Sequence, residues 1–193
     1  MNPRVVVVDH HDSYTWNLVH LVAAVTGVLP TVVEHDEVAA STLLDGRFSH
    51  VVLSPGPGNP DTPRDFSVGR EVLRAATVPV LGVCLGMQGL VSEYGGRVRP
   101  VTPAHGEVAV VHHDGSGIFR GVPDGFPAVR YHSLAAVALP AVLTETAWCE
   151  GEDGPVVMGV AHRTLPLWGV QFHPESVLTR HGELMVANFL ELR

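Results

Sequence analysis

The sequence predicts an α/β fold in which an open, mostly parallel sheet has helices on both faces. Short, nearly continuous Val/Leu runs alternate with helix-length segments along the first half of the chain. Buried strands that alternate with helices are typical of parallel sheets covered on both sides. No internal repeat, low-complexity tract or linker interrupts this pattern. We therefore expect residues 1–193 to form a single domain.

The first half contains four strand-like runs and three helical segments in near-regular alternation. In chain order they are strand Val5–Val8, helix Ser13–Thr26, strand Thr31–Glu34, strand Val51–Ser54, helix Ser67–Ala76, strand Val78–Val83 and helix Met87–Tyr94. Asp12 or Ser13 is expected to cap the first helix, because both residue types accept hydrogen bonds from free backbone N–H groups. This order is that of a flavodoxin-like sheet.

The second half has a different character, which predicts a small antiparallel extension of the sheet. Its β-like pieces are Arg97–Val101, Glu107–His112, Ala141–Glu145 and Val156–Ala161. Residues 182–190 have the apolar spacing of a helix that packs back on the sheet.

Composition excludes several classes of function. The formal net charge of −8 and the lack of any Lys/Arg run argue against nucleic-acid or anionic-membrane partners. The apolar run Val5–Val8 is too short for a signal sequence or a membrane span. Cys84 and Cys149 are too few for a disulfide framework, so a cytoplasmic location is expected.

Histidine is abundant, but its placement does not predict a metal site. The twelve histidines are scattered, and the pairs His10-His11 and His112-His113 lack the helical i,i+4 spacing of a ligand pair. No metal and no cofactor are therefore expected in this chain.

A cysteine occupies the turn between a predicted strand and the helix that follows it, in the sequence Gly82-Val83-Cys84-Leu85-Gly86. Flanking glycines allow a sharp backbone corner that lifts the central side chain clear of the sheet. The thiol then lies near a helix N-terminus, which favours the thiolate. Alone, this short pattern leaves open the alternative of a small, inert core cysteine.

A later apolar run, Leu167–Phe172, ends in His173 and Glu175. A base and an acidic group that orients it, at the carboxyl end of a strand, complete a triad with a cysteine nucleophile. In an open α/β sheet the carboxyl ends of the strands share one edge, which is where Cys84 also lies.

The segment Ser54–Pro60 is rich in Pro and Gly and follows a third strand. It is predicted to be a rigid loop at the same edge. A glycine N–H of this loop and the N–H of Leu85 would form an oxyanion hole, with glycine needed because a Cβ would block the substrate.

Four motifs together resemble those of the class I, triad-type glutamine amidotransferases, and more narrowly the glutaminase components of anthranilate and aminodeoxychorismate synthases. They are Pro55-Gly56-Pro57-Gly58, Gly82-Val83-Cys84-Leu85-Gly86-Met87-Gln88, Arg130-Tyr131-His132-Ser133-Leu134 and Gln171-Phe172-His173-Pro174-Glu175-Ser176. They occur in the family's order over nearly the whole chain.

The resemblance implies a role for each matched residue. Cys84 would be the nucleophile, His173 the acid and base, and Glu175 the orienting group, while Gly56 and Leu85 form the oxyanion hole. L-glutamine would be held by Gly56, Pro57, Gly58, Leu85, Gln88, Ser133 and Leu134. Ammonia would pass to a chorismate-binding synthase, which is either fused to this chain or separate from it. The segment around Tyr14 and Trp16 resembles the part of the family that faces this partner.

Three positions depart from the family pattern. Met87 replaces the more common histidine, and Glu107 stands where the family has Lys or Arg. His10-His11 fits fused aminodeoxychorismate synthases better than separate glutaminase chains, so we favour that branch. Anthranilate synthase component II and an aminodeoxyisochorismate-type glutaminase remain alternatives, as do a γ-glutamyl hydrolase, a cysteine peptidase and a non-catalytic scaffold protein.

Overall fold

The computed structural model describes residues 3–192 as alternating strands and helices followed by longer strands. In chain order the elements are β1 (Val5–Asp9), α1 (Thr15–Thr26), β2 (Thr31–Glu34), α2 (Ala40–Leu43), β3 (His50–Leu53), α3 (Pro63–Ala75), β4 (Val80–Val83), α4 (Leu85–Glu93), β5 (Arg97–His113), a 3₁₀ helix (Gly117–Phe119), β6 (Phe126–Ala138), β7 (Leu143–Gly151), β8 (Gly154–His162), β9 (Leu167–Val170) and α5 (Gly182–Glu191). Within residues 3–192, no helix has the length and apolar character that crossing a membrane requires.

All nine strands form one sheet in the order β2-β1-β3-β4-β9-β8-β7-β5-β6. The strands β2, β1, β3, β4 and β9 are parallel to one another. The chain reverses its direction of travel across the sheet between β1 and β3, and such a switch point opens a crevice at the carboxyl ends. The predicted fold class is confirmed.

The two faces of the parallel strands bury separate hydrophobic cores. Alternate side chains of β1 point to opposite faces, so Val5 and Val7 join one core while Val6 and Val8 join the other. The first core packs against α1 and α5, and the second packs against α2, α3 and α4. The C-terminal helix therefore packs on the sheet, as its spacing predicts.

The antiparallel extension comprises β8, β7, β5 and β6. The two predicted pieces at 97–101 and 107–112 are parts of the continuous strand β5, which bends through register shifts near Pro100 and His105. Strand β6 is not among the predicted elements. Its apolar residues are interrupted by Pro127 and by the polar run Arg130-Tyr131-His132-Ser133, which hides the strand pattern.

The turn between β4 and α4 depends on two glycines that leave no room for a side chain. A Cβ on Gly82 would overlap the carbonyl group of Gly86. A Cβ on Gly86 would lie 2.5 Å from the backbone oxygen of Leu53 in β3. The helix therefore starts in direct contact with the neighbouring strand, which fixes the corner that carries residue 84.

We predict that Gly86→Ala destabilises the fold despite placing a better helix former in α4. The atom that the new Cβ meets is backbone, which cannot rotate away, and overpacking of this kind costs about 3 kcal/mol. Gly121, at φ 74° with open space around it, is the matched control, and Gly121→Ala costs only about 1 kcal/mol. Urea unfolding measures both, and equal losses would show that the turn can open.

Candidate active site

Cys84 occupies a strained corner between β4 and α4. Its backbone has φ 52° and ψ −101°, a region that residues with a Cβ rarely adopt. Two backbone hydrogen bonds hold the corner: the Cys84 N–H donates to the oxygen of Val170 at 2.8 Å, and the Cys84 oxygen accepts from the N–H of Gln88 at 3.0 Å. The residue is only 7% exposed. The structure thus places the cysteine at the sharp turn that its glycines predict.

His173 and Glu175 follow β9, the strand next to β4 in the sheet. His173 Nδ1 donates to Glu175 Oε1 at 2.6 Å, and the two side chains are 3% and 0% exposed. The second carboxylate oxygen of Glu175 is buried and has no hydrogen-bond partner within residues 3–192. The charge of this carboxylate is therefore directed mainly at the imidazole.

The pKa of His173 shows which influence dominates in this pair. Burial alone would lower the pKa, but the neighbouring groups Cys84 and Glu175 outweigh burial and raise it to about 10. An imidazolium at neutral pH is the partner that stabilises the thiolate of a cysteine nucleophile. The raised pKa therefore keeps the His173 imidazole protonated at neutral pH.

Strand β6 supports the loop that carries His173 and Glu175. The N–H of His173 donates to the oxygen of Val129 at 3.2 Å, and the N–H of Arg180 donates to the oxygen of Pro127 at 3.0 Å. Between them, the N–H of Val129 donates to Thr179 Oγ1 at 3.0 Å. These three bonds fasten both ends of the loop to the antiparallel extension.

The Pro/Gly loop after β3 is fixed by Ser54. Its hydroxyl donates to the oxygen of Pro55 at 2.6 Å and accepts from the N–H of His10 at 2.9 Å. A Cβ on Gly56 would lie 2.6 Å from His10 Cβ and 2.7 Å from Leu85 Cδ2. The sequence suggests that glycine is needed here because a Cβ would block the substrate. That reason is incomplete, because packing against His10 and Leu85 already excludes a side chain at residue 56.

A cavity of about 180 Å³ lies beside Cys84. It is lined by Gly56, Pro57, Gly58, Cys84, Gln88, Tyr131, His132, Ser133 and Leu134. Drug-sized ligands occupy roughly 300–1,000 Å³, so this cavity suits a much smaller molecule. Leu85 itself is buried beneath the loop, but it is the first residue of α4, where a backbone N–H has no partner inside the helix.

Gln88 and Gln171 form a chain of amides that ends at the nucleophile. Gln88 Nε2 donates to the oxygen of Leu134 at 2.9 Å and to Gln171 Oε1 at 3.1 Å. Gln171 Nε2 in turn lies 3.5 Å from Cys84 Sγ. Both donors of Gln88 are thus used within the protein, which leaves only its carbonyl oxygen for a ligand.

Gln171 is a site residue that the sequence does not predict, although it begins the motif that contains His173, two residues before that histidine. An N–H donor beside the sulfur stabilises its charged form. The only signal in the sequence is this adjacency. The contact itself arises from β9 pairing with β4, which brings residue 171 beside residue 84.

Glu107 has a structural partner that explains an acid at this position. Its carboxylate lies 3.4 Å from Arg130 Nη1 across the β5–β6 pair, and Arg130 is only 4% exposed. Arg130 Nε donates to His132 Nε2 at 3.2 Å, and His132 Nδ1 contacts the oxygen of Leu134 at 3.0 Å. Burial, followed by the charge of Arg130, lowers the pKa of His132 to about 4. This neutral histidine helps to shape the cavity wall.

Met87 fills space beneath the nucleophile and does not line the cavity. It is fully buried, and a Cβ on Gly169 of β9 would lie 2.8 Å from Met87 Cγ. The departure from the family's histidine is thus absorbed by core packing.

Of the two predicted interface residues, Tyr14 lies against the triad. Tyr14 stacks on Tyr131 with ring centroids 5.2 Å apart, and both rings make edge contacts with His173 at 5.6 and 5.4 Å. A second cavity, of about 460 Å³, is lined by both tyrosines and Glu175. Trp16, with 55% of its surface exposed, lies in the first turn of α1.

Comparison with known proteins gives relatives that match nearly the whole chain. The chain is 48% identical over 190 residues to an aminodeoxychorismate synthase of Streptomyces griseus, covering 98% of this chain but 26% of the relative. It is 47% identical over 201 residues to an anthranilate synthase component 2 of Halobacterium salinarum, covering 97% of each. The chain thus spans about a quarter of the first relative and nearly all of the second.

A solved structure and a family model agree with these matches. A protein of Thermoplasma acidophilum, described as part of a putative GMP synthase, superposes with a TM-score of 0.85 at 25% identity, covering 98% of this chain and 93% of the other. The family model described as glutamine amidotransferase class-I matches residues 6–192. The chain therefore belongs to the class-I glutamine amidotransferase family.

Proposed function

We propose that this chain is the glutaminase of a chorismate-using synthase, which hydrolyses L-glutamine and delivers the ammonia to that synthase. One observation carries the chemistry: the buried pair His173–Glu175, with its raised imidazole pKa, lies beside a cysteine held at a strained turn. The family and its named relatives support the choice of glutamine and of a chorismate-using partner.

The first half of the reaction forms a thioester. The Cys84 thiolate attacks the side-chain carboxamide carbon of glutamine, and the N–H of Leu85 with a glycine N–H of loop 56–58 binds the resulting oxyanion. Loss of one such donor typically lowers kcat by about a hundred- to a thousand-fold. His173, which already holds a proton, donates it to the leaving nitrogen, and ammonia departs.

The second half releases glutamate. His173, now neutral, takes a proton from water, and the hydroxide attacks the thioester carbon. The C–S bond breaks, Cys84 leaves as the thiolate, and the proton remains on His173. Glu175 stabilises the imidazolium at both stages. This cycle needs no cofactor and no metal.

The small cavity suits a single amino acid with a neutral amide tail. Gly56, Pro57 and Gly58 offer backbone groups, Ser133 offers a hydroxyl, and the oxygen of Gln88 accepts one donor. Leu134 lines the wall, and its oxygen is already paired with Gln88. Directed bonds of this kind discriminate strongly against analogues that lack the matching atoms.

An exposed apolar surface beside the second cavity fits the proposed synthase contact. Trp16, Val177 and Leu178 are 55%, 94% and 52% exposed, and Val177 follows Glu175 by two residues. Tyr14 connects this surface to His173 through its edge contact. A partner that covers Tyr14 and Trp16 would therefore contact the triad through the Tyr14 ring. Two buried cysteines without a disulfide support a cytoplasmic setting.

We favour the aminodeoxychorismate branch, because fused enzymes of that branch resemble this chain at His10-His11. The anthranilate branch is the second candidate, since the chain is 47% identical to an anthranilate synthase component 2. To separate these branches, the chain is supplied with glutamine, chorismate and a synthase of each type in turn. Formation of anthranilate with the anthranilate-type synthase would indicate the anthranilate branch. An aminodeoxyisochorismate product would indicate the third.

Replacing the nucleophile tests the proposed chemistry. We predict that Cys84→Ser lowers glutamine hydrolysis, assayed with a chorismate-using synthase present, to below about 1% of the wild-type rate, because an alcohol is far less ionised than a thiol. Cys149→Ala, which removes the other buried thiol, is expected to keep most of the rate.

Covalent labelling of Cys84 by a glutamine-analogue electrophile gives an independent readout. Labelling without glutamine turnover would favour a γ-glutamyl hydrolase or a peptidase, which an assay with γ-glutamyl peptides identifies. No labelling even with the synthase present would favour the scaffold alternative and contradict the proposal.

The raised pKa of His173 predicts a pH profile with a defined response to mutation. Below that pKa, about 10, the imidazolium that protonates the leaving nitrogen persists, so the rate of glutamine hydrolysis falls only at high pH. Glu175→Gln removes a cause that raises the pKa, so the alkaline limb moves down by about one pH unit or more. The control is Glu183→Gln, which alters an exposed acid that lines the second cavity together with Glu175. It is expected to leave the pH profile unchanged. An unshifted limb in Glu175→Gln would contradict the assigned role.

The proposed partner surface predicts variants that uncouple the two proteins. Val177→Asp places a charge on the exposed apolar surface and is expected to reduce the synthase's activation of glutamine hydrolysis about tenfold, without changing the rate of the isolated chain. Val110→Asp, at an exposed valine of β5, is the matched control and keeps activation. Equal glutaminase rates with and without synthase would refute partner activation.

A further inference from the structure

Three potential metal ligands converge at the carboxyl ends of β1 and β2, outside the residues proposed for glutamine. His11 follows β1, and His35 with Asp36 follows β2. Because β1 and β2 are parallel neighbours, with Asp9 opposite Glu34, their carboxyl ends share one edge of the sheet. One ligand atom from each of His11, His35 and Asp36 lies within 4.8 Å of the others.

The separation between the ligand atoms of His11 and Asp36 is close to that of a tetrahedral site. Bonds of about 2.0–2.2 Å at tetrahedral angles place neighbouring ligand atoms roughly 3.3–3.5 Å apart. His11 Nε2 lies 3.2 Å from Asp36 Oδ2. A closer approach of His35, whose ligand atom lies within 4.8 Å of the other two, would complete a three-ligand set with one position left for water.

A carboxylate also stands behind the first histidine. Glu34 Oε2 lies 3.1 Å from His11 Nδ1, on the ring nitrogen that faces away from Asp36. Metal-binding histidines usually direct their second nitrogen at a carboxylate, which fixes the tautomer and strengthens the ligand. Glu34 would face Nδ1 of His11, while Nε2 faces Asp36 and would bind the ion.

His35 is a buried polar side chain whose interaction is incomplete. The residue is 3% exposed, and its Nδ1 is shielded from solvent without a hydrogen-bond partner within residues 3–192. Buried polar atoms are almost always paired, so an unpaired one calls for an explanation. The exposed sides of His11 and Asp36, with side chains 53% and 52% exposed, give an ion a route to this site.

We propose that His11, His35 and Asp36 bind one Zn²⁺ ion, with Glu34 as the outer carboxylate of His11. Two imidazoles and one carboxylate form a donor set that zinc accepts readily, whereas Mg²⁺ and Ca²⁺ prefer oxygen ligands. The proposal departs from the expectation of no metal. That expectation considered only ligand pairs on one helix, while these ligands come from the ends of adjacent strands.

The proposed site is coupled to the oxyanion loop through one residue. His10 stacks between His35 and Phe66, with ring centroids 4.9 and 5.1 Å away. Its backbone N–H donates to Ser54, and its Cβ is one of the two side-chain atoms that exclude a side chain at Gly56. Zinc that fixes His11 and His35 would therefore brace the segment against which the Gly56 loop packs. The ion would stabilise this edge without contacting the reacting atoms.

Zinc titration of tag-free Cys84→Ala protein tests the proposal, because this background removes the triad thiol as a competing ligand. Competition with a chromophoric chelator is expected to give one saturable Zn²⁺ per chain and a rise in Tm on binding. His11→Asn and Asp36→Asn alter exposed side chains and are each expected to weaken affinity about tenfold or more. His35→Gln is expected to do the same, with its circular dichroism spectrum checked for folding.

The matched control is His112→Asn, which alters another exposed histidine beside a carboxylate, at 3.0 Å from Asp124. Its affinity for zinc is expected to equal that of the background protein. The proposal is overturned by the absence of saturable binding, or by losses in His112→Asn as large as those in His11→Asn. Because the titration uses a protein without its nucleophile, its outcome is independent of the proposed glutaminase activity.

Discussion

The backbone hydrogen bond from Cys84 to Val170 is the constraint on which the site depends. A residue with a Cβ in such a sparsely populated region costs about 1–3 kcal/mol and persists only where its surroundings enforce it. Here the pairing of β4 with β9 enforces it, together with the contact of Gly86 with Leu53. Since His173 follows shortly after β9, the same pairing that strains the nucleophile also sets its distance from the base.

The antiparallel extension supplies the other half of the site. Strand β6 fastens both ends of the loop that carries His173 and Glu175, and its own residues 131–134 form one wall of the small cavity. The buried cation of Arg130 would be unfavourable there without a nearby acid. Glu107 provides that acid from β5. This contact explains why an acid stands at a position where the family has Lys or Arg.

The sequence predicts the parallel part of the fold well because most strands there are buried on both faces and are therefore almost purely apolar. It also predicts Cys84 and His173, because each closely follows such a strand. It misses β6, where polar residues that shape the cavity break the alternation. It also misses the contact of Gln171 with Cys84 and the group formed by His11, His35 and Asp36. These contacts depend on which strands are neighbours in the sheet, and the spacing of residues along the chain does not reveal the order of the strands.

The two cavities that share Tyr131 give the proposed partnership a physical form. Tyr14 and Tyr131 contact the imidazole by their edges, and they line the outer cavity next to the exposed Trp16 surface. Tyr131 also lines the glutamine cavity. A synthase bound over Tyr14 would restrict both rings, and through Tyr131 it would act on the base and on the substrate wall together. Because the imidazole is oriented by its bond to Glu175 and by these edge contacts, a change in the position of either tyrosine ring would alter its orientation. Through such a change, the proposed synthase would influence the base without contacting it directly.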